Sequence, residues 1–139
     1  MREKTNLLHS DLTGEILGGF FAVYHALGYG FLEQVYANAL SLELRNRWLK
    51  LEREVAVEVQ YEGQPVGHFR IDMVVNGLVV VEIKAGAALV EADKKQLFNY
   101  LRASGLTVGL LLHFGPKPEF KRLVIESSAA ASASSASSA

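Results

Sequence analysis

Apolar residues recur at helical spacing near the start of the chain. Leu12, Ile16, Phe20, Val23 and Leu27 form one stripe, predicting a helix from about Asp11 to Leu27 with Ser10 or Asp11 as its cap. Gly18, Gly19 and Ala22 leave another face bare enough for close backbone approach, and Gly28-Tyr29-Gly30 breaks the helix. A second helix is predicted over about residues 32–48, with Leu32, Val35, Ala39, Leu42 and Leu49 inward and Trp48 as a packing anchor. Glu54 to Tyr61 then alternates as a strand, and Glu62-Gly63-Gln64-Pro65 turns it into the next strand. After a hairpin, Leu89 to Ser104 is helical with Gly105 as C-terminal cap. Thr107 to Phe114 is a buried strand ended by Gly115-Pro116-Lys117-Pro118, and Phe120 to Ile125 is a weaker final strand. The order helix, helix, three antiparallel strands, helix, strand predicts an α/β fold with a sheet flanked by helices.

The hairpin carries the chemistry. Arg70 to Lys84 reads as two strands rich in valine and isoleucine around Asn76-Gly77, yet Asp72, Glu82 and Lys84 interrupt them. Burying charge in apolar strands is costly, so these three residues call for a reason. A two-residue Asn76-Gly77 loop would pair Asp72 with Val81 and send Asp72 and Glu82 to opposite faces. A three-residue Val75-Asn76-Gly77 loop with a bulge at Gly77 instead pairs Val74 with Leu78 and Asp72 with Val80. One face then carries Arg70, Asp72, Val74, Leu78, Val80, Glu82 and Lys84, and the other Ile71, Met73, Val79, Val81 and Ile83. The second register separates polar from apolar better and is the one predicted. It makes Asp72 and Glu82 diagonal neighbours roughly 5 to 8 Å apart at Cβ, close enough to share a hard cation. Lys84 follows roughly 6.6 Å further along the same face.

Composition narrows the classes. The 139 residues form one domain over 1–126, followed by a serine/alanine tail over 127–139 that is expected to be disordered or weakly helical. Residues 1–9 are expected to fray. With no cysteine, thiolate metal sites, disulfides and thiol nucleophiles are excluded. No apolar run is long enough to span a bilayer and the start leads into no signal region, so the expected place is the cytoplasm, without membrane contact. A net charge of −1 argues against indiscriminate nucleic-acid binding. Lys94, Lys95, Arg102, Lys117, Lys121 and Arg122 are the residues available to grip phosphates.

Gly30-Phe31-Leu32-Glu33-Gln34-Val35-Tyr36 reads GxxExxY. With His25 to Gly30 before it, Tyr61-Glu62-Gly63, the Glu82-Ile83-Lys84 strand and Gln96 to Leu101, the chain resembles the GxxExxY protein family over roughly residues 11–125. That family is placed among the PD-(D/E)XK phosphodiesterases. The resemblance implies a restriction-endonuclease-like αβββαβ core, a mixed central sheet flanked by helices, and a nuclease-type site. Carried over motif by motif, Asp72 resembles the motif aspartate, Glu82 and Lys84 the E and K, and Glu33 the acid of the first core helix. Gln96 and Tyr100, one turn apart on a helix face, resemble the Q-x-x-x-Y element of RecB-type exonucleases. Two positions depart from the pattern. Ile71 stands where proline is frequent, and His113 stands where asparagine is expected, so no polar role is assigned to it.

The resulting expectation is a nuclease acting on nucleic acid, with DNA the favoured substrate and Mg²⁺ or Mn²⁺ as cofactor. Asp72 and Glu82 are the metal ligands, joined by the Ile83 carbonyl and by Glu33 through water. Lys84 and Gln96 complete the catalytic set. Tyr36 and Tyr100 are supporting aromatics whose hydroxyls reach toward the site, and His25 is a further supporting residue at a helix end. Two alternatives stand beside this one: a module that keeps the fold and binds nucleic acid or protein without hydrolysis, and a structural subunit. Nucleases of this type often pair, so a homodimer is an expected assembly.

Overall fold

The computed structural model describes residues 9–126; the expectations for the extreme N-terminus and the serine/alanine tail fall outside them. The elements run α1 (Ser10–Leu27), α2 (Glu33–Asn46), β1 (Leu51–Tyr61), β2 (Gln64–Val75), β3 (Val79–Ala85), α3 (Glu91–Ser104), β4 (Val108–Phe114) and β5 (Pro118–Val124). The described strands form one sheet in sequence order. All neighbours pair antiparallel except β3 and β4, which are parallel because α3 carries the chain back across the sheet. This is the mixed α/β architecture that the resemblance implies.

Helices cover both faces. Ile16, Phe20 and Val23 of α1 and Tyr36, Leu40 and Leu44 of α2 bury Met73, Val75, Val79, Val81, Ile83 and the even-numbered residues of β4. On the other face Leu97 and Leu101 of α3 cover Ile71, Val74, Val80 and Leu111. The bare face of α1 serves close approach, since a Cβ on Gly19 would lie 2.7 Å from Leu44 Cδ2.

Three local expectations are corrected. His9, not Ser10 or Asp11, precedes α1, in a left-handed conformation and without a side-chain cap. On α2 the buried stripe is Tyr36, Ala37, Leu40, Ser41 and Leu44. Leu32 and Leu42 are exposed instead, because Tyr36 stacks on Phe114 with ring centroids 4.1 Å apart and sets the helix rotation. Trp48 anchors nothing. It is 93% exposed with φ 67°, just past the end of α2.

The hairpin register differs from both alternatives. Val75 pairs with Val79, Val74 with Val80 and Met73 with Val81, so the loop is Asn76-Gly77-Leu78. Asn76 (φ 53°) and Gly77 (φ 67°) both turn left-handed. The Asn76 side chain is held there, its Oδ1 accepting the Lys50 N–H at 2.9 Å. The shift keeps the parity of the expected register but places Asp72 level with Glu82 instead of Val80.

Strict alternation also fails once along β2. Phe69 and Ile71 lie on the α3 face with Val74, whereas Met73 and Val75 lie on the α1/α2 face. The expected grouping of Ile71 with Met73 is therefore wrong. The break falls at Asp72, across from Glu54 of β1, which has φ 54°. At the same level of β1, Leu51 belongs to one face and Val55 and Val57 to the other. An irregularity shared by both strands rotates the outer part of the hairpin relative to the sheet.

Candidate active site at the strand fork

The β2–β3 ladder stops after the Met73–Val81 pair. Beyond it the two strands are joined by carboxylates. The Asp72 N–H donates to Glu82 Oε2 at 2.8 Å, and the Ile83 N–H donates to Asp72 Oδ2 at 2.7 Å. Each acid thus replaces a backbone acceptor that the diverging strand has withdrawn, as the need to satisfy buried peptide groups demands. Because a strand residue projects its N–H and C=O to the same edge, the Ile83 carbonyl also opens toward this fork.

Burial dominates the electrostatics. Glu82 is only 4% exposed, and burial followed by the neighbouring Asp72 charge pushes its carboxyl up to about 8, against partial relief from the Asp72 N–H and Lys84. Burial likewise raises Asp72, with the Ile83 N–H and Lys84 opposing it. At neutral pH the metal-free fork therefore keeps a proton on Glu82.

Lys84 and Gln96 are brought together. Lys84 Nζ donates to Gln96 Oε1 at 2.8 Å, joining β3 to α3. Sequence reasoning missed Asp93, whose Oδ1 lies 4.0 Å from the same ammonium. Its other oxygen, Oδ2, accepts the Val90 N–H at 3.0 Å, so one side chain both starts α3 and flanks Lys84. The available signal was an acid three residues into a helix start.

Glu33 begins α2 and reaches the same region. A hydrogen bond from the Ala85 backbone holds its carboxyl, which is raised first by burial and then by Asp72. A small cleft on this side of Asp72 is lined by Glu33, Gln34, Ala37, Arg53, Glu54 and Asp72. Arg53 and Glu54 were also missed; both charges act on Asp72, Glu54 raising its carboxyl and Arg53 lowering it. Their signal was a charged pair inside an otherwise alternating strand.

The supporting residues divide. Tyr100 belongs to the neighbourhood: its hydroxyl is raised by burial and then by Glu82 and Asp72, and its ring stacks on Phe69 at 4.1 Å. The Tyr36 hydroxyl is committed elsewhere, donating to Gly28 O at 2.5 Å and accepting the Phe31 N–H at 3.1 Å. It holds the loop before Glu33 instead of reaching the carboxylates. His25 is exposed in the last turn of α1 and takes no part in the hydrogen bonds of the fork. His113 does have a polar role, contrary to expectation. It is 1% exposed, with Nε2 2.8 Å from Gly86 O and Nδ1 3.4 Å from Glu119 Oε1. It thereby ties β5 to the segment that follows Lys84 and Ala85.

Among the described residues no three histidine or acidic side chains converge as a cage for a metal ion. Two carboxylates with water are nevertheless a suitable donor set for Mg²⁺, which keeps much of its hydration and takes few protein ligands. Asp72 Oδ1 and Glu82 Oε1 are the oxygens left over from the strand-bridging bonds. The residues present therefore fit a hard divalent cation, with Glu33 at hand for its water shell.

The pattern of the PD-(D/E)XK nuclease superfamily matches residues 10–123, and the chain belongs to that superfamily. A solved structure described as "Crystal structure of SSO0001" shares the fold with a TM-score of 0.55 at 20% identity, over 97% of this chain and 68% of that one. No curated protein matches the chain. Among the described residues no helix is long and apolar enough to cross a membrane.

Proposed function

We propose that this protein hydrolyses phosphodiester bonds in nucleic acid, with DNA the expected substrate and Mg²⁺ or Mn²⁺ the expected cofactor. The observation that carries this reading is the meeting of Asp72 and Glu82 across the strand fork beside an ammonium steered by Gln96. Asp72, Glu82 and the Ile83 carbonyl would hold the cation. Bound there, a divalent ion would supply Lewis acidity toward the phosphate and its attacking water. Lys84, oriented by Gln96 and Asp93, neutralises charge growing on the phosphate. The Glu82 proton is one that a cation would displace, so loading should release acid. Within the superfamily we place the chain in the GxxExxY branch. Gly30, Glu33 and Tyr36 supply that spacing, and here Tyr36 fixes the loop that delivers Glu33.

Purified protein should cut DNA in Mg²⁺ or Mn²⁺, and Lys84→Ala should reduce cutting at least a hundredfold, the size of a lost charge-stabilising group. Equal activity in the variant rejects the assignment. One observation favours a second reading, a binding module without hydrolysis: both acids already satisfy peptide N–H groups, a task that needs no metal. Filter binding in chelator with no cleavage in Mn²⁺ would select it.

A further inference from the structure

The loop before Glu33 leaves much of its apolar surface exposed. Tyr29 is 50% exposed, Phe31 50% and Leu32 79%, while the buried stripe of α2 starts only at Tyr36. The loop is also held in one shape. Tyr36 grips it at both ends through Gly28 O and the Phe31 N–H, and the Phe31 ring stands edge-on to Tyr36 at 6.1 Å. Gly28 (φ 71°) and Gly30 (φ 120°) supply backbone turns that other residues adopt only with strain. One residue further on stands Glu33, bonded to the Ala85 backbone and within electrostatic reach of Asp72 and Lys84. An exposed aromatic and aliphatic ledge thus immediately precedes Glu33 in the chain.

We infer that this ledge is a base-stacking platform and that the site takes single-stranded nucleic acid or unpaired ends. The inference rests on the nuclease reading and narrows its substrate. In a duplex the base faces are hidden, whereas an unpaired strand offers them to flat apolar side chains. Charge points the same way. With a net charge of −1 and carboxylates around the site, phosphate neutralisation is a weak source of affinity, and stacking must supply more of it. A protein that wrapped duplex DNA would need the many phosphate contacts that this balance does not favour.

The test is fluorescence anisotropy of a short fluorescein-labelled oligothymidylate, alone and annealed to oligoadenylate, with the full chain in EDTA at two salt concentrations. The single strand should bind about tenfold or more tightly than the duplex, with a salt slope shallower than about −2, corresponding to few phosphate contacts. Phe31→Ala and Leu32→Ser should each weaken single-strand binding by roughly fivefold or more, and Phe31→Trp should keep it. Leu32 is so exposed that its replacement leaves the fold intact. Equal binding of duplex, or unchanged binding by both weakened variants, overturns the platform. The same oligonucleotides in Mn²⁺ separate the two readings. Cleavage of both forms without preference removes the platform and keeps the nuclease; variant-sensitive single-strand binding without cleavage keeps the platform and removes the nuclease.

Discussion

The two ends of the β2–β3 hairpin are built from the same strands and solve opposite problems. At the turn end, valines pair through an ordinary ladder and disappear into the layers on both faces. At the open end the ladder is replaced by carboxylates bonded to facing peptide N–H groups, one of them protonated at neutral pH. The first end gains stability from close packing. The second keeps charge out of water beside a cleft, an arrangement that favours ligand binding over stability.

Paired substitutions give the sharpest break in that comparison. Phe114, fully buried against Tyr36 and Phe20, should cost about 3–5 kcal/mol on conversion to alanine, read by urea denaturation. Asp72→Asn keeps an oxygen for the Ile83 N–H while removing a charge that burial, and after it Glu54, disfavours, so metal-free protein should melt higher. The variant should also lose any stabilisation by Mn²⁺. If Asp72→Asn lowers the melting temperature and leaves the metal response intact, the aspartate is a structural residue like those at the turn.

The pH response follows next in size. Glu82 has its carboxyl raised from 4.5 to about 8 by folding, so between these values the folded chain binds more protons than the unfolded one. Metal-free protein should therefore be most stable below about pH 4.5, as far as this group is concerned, and lose stability as pH rises toward 8, by an amount on the order of a few kcal/mol. The raised Asp72 and Glu33 carboxyls act in the same direction. Denaturation midpoints at acid and alkaline pH would show the slope, and Glu82→Gln should flatten it; an unchanged slope would mean that Glu82 titrates normally.

A smaller effect is expected at His113. His113→Leu leaves Gly86 O without its buried donor and should cost about 1–3 kcal/mol. His113→Asn, able to donate to the same carbonyl, should recover part of that loss. Equal losses in the two variants would show that volume, not hydrogen bonding, sets the role of this position.

Much of the fold was legible because its signals are local. Each helix and strand has its own periodicity or turn residues, and Gly105 (φ 82°) caps α3 as its position suggests. The rotation of α2 was not legible, since Leu32, Val35 and Leu42 are at least as apolar as the buried stripe of Tyr36, Ala37, Leu40, Ser41 and Leu44. Only stacking of Tyr36 on Phe114, far away in sequence, selects the buried side. At the fork, alternation grouped Asp72 with Glu82, but alternation breaks at Asp72 itself. The way the two acids meet was set by the packed strands and by the loop whose Asn76 is held by the Lys50 N–H. Asp93 and Arg53 escaped notice because their local signals, a helix-start acid and a charge in an alternating strand, each have a local explanation and name no distant partner.

The sequence by itself determined the elements and their order, because turn chemistry and side-chain periodicity are written residue by residue. Only the tertiary structure decided the fork itself. Where strands part, and which carboxylate takes over which abandoned N–H, depends on the irregularity shared by Glu54 and Asp72. Burial then sets the protonation of Glu82, and burial belongs to the packed sheet and helices as a whole.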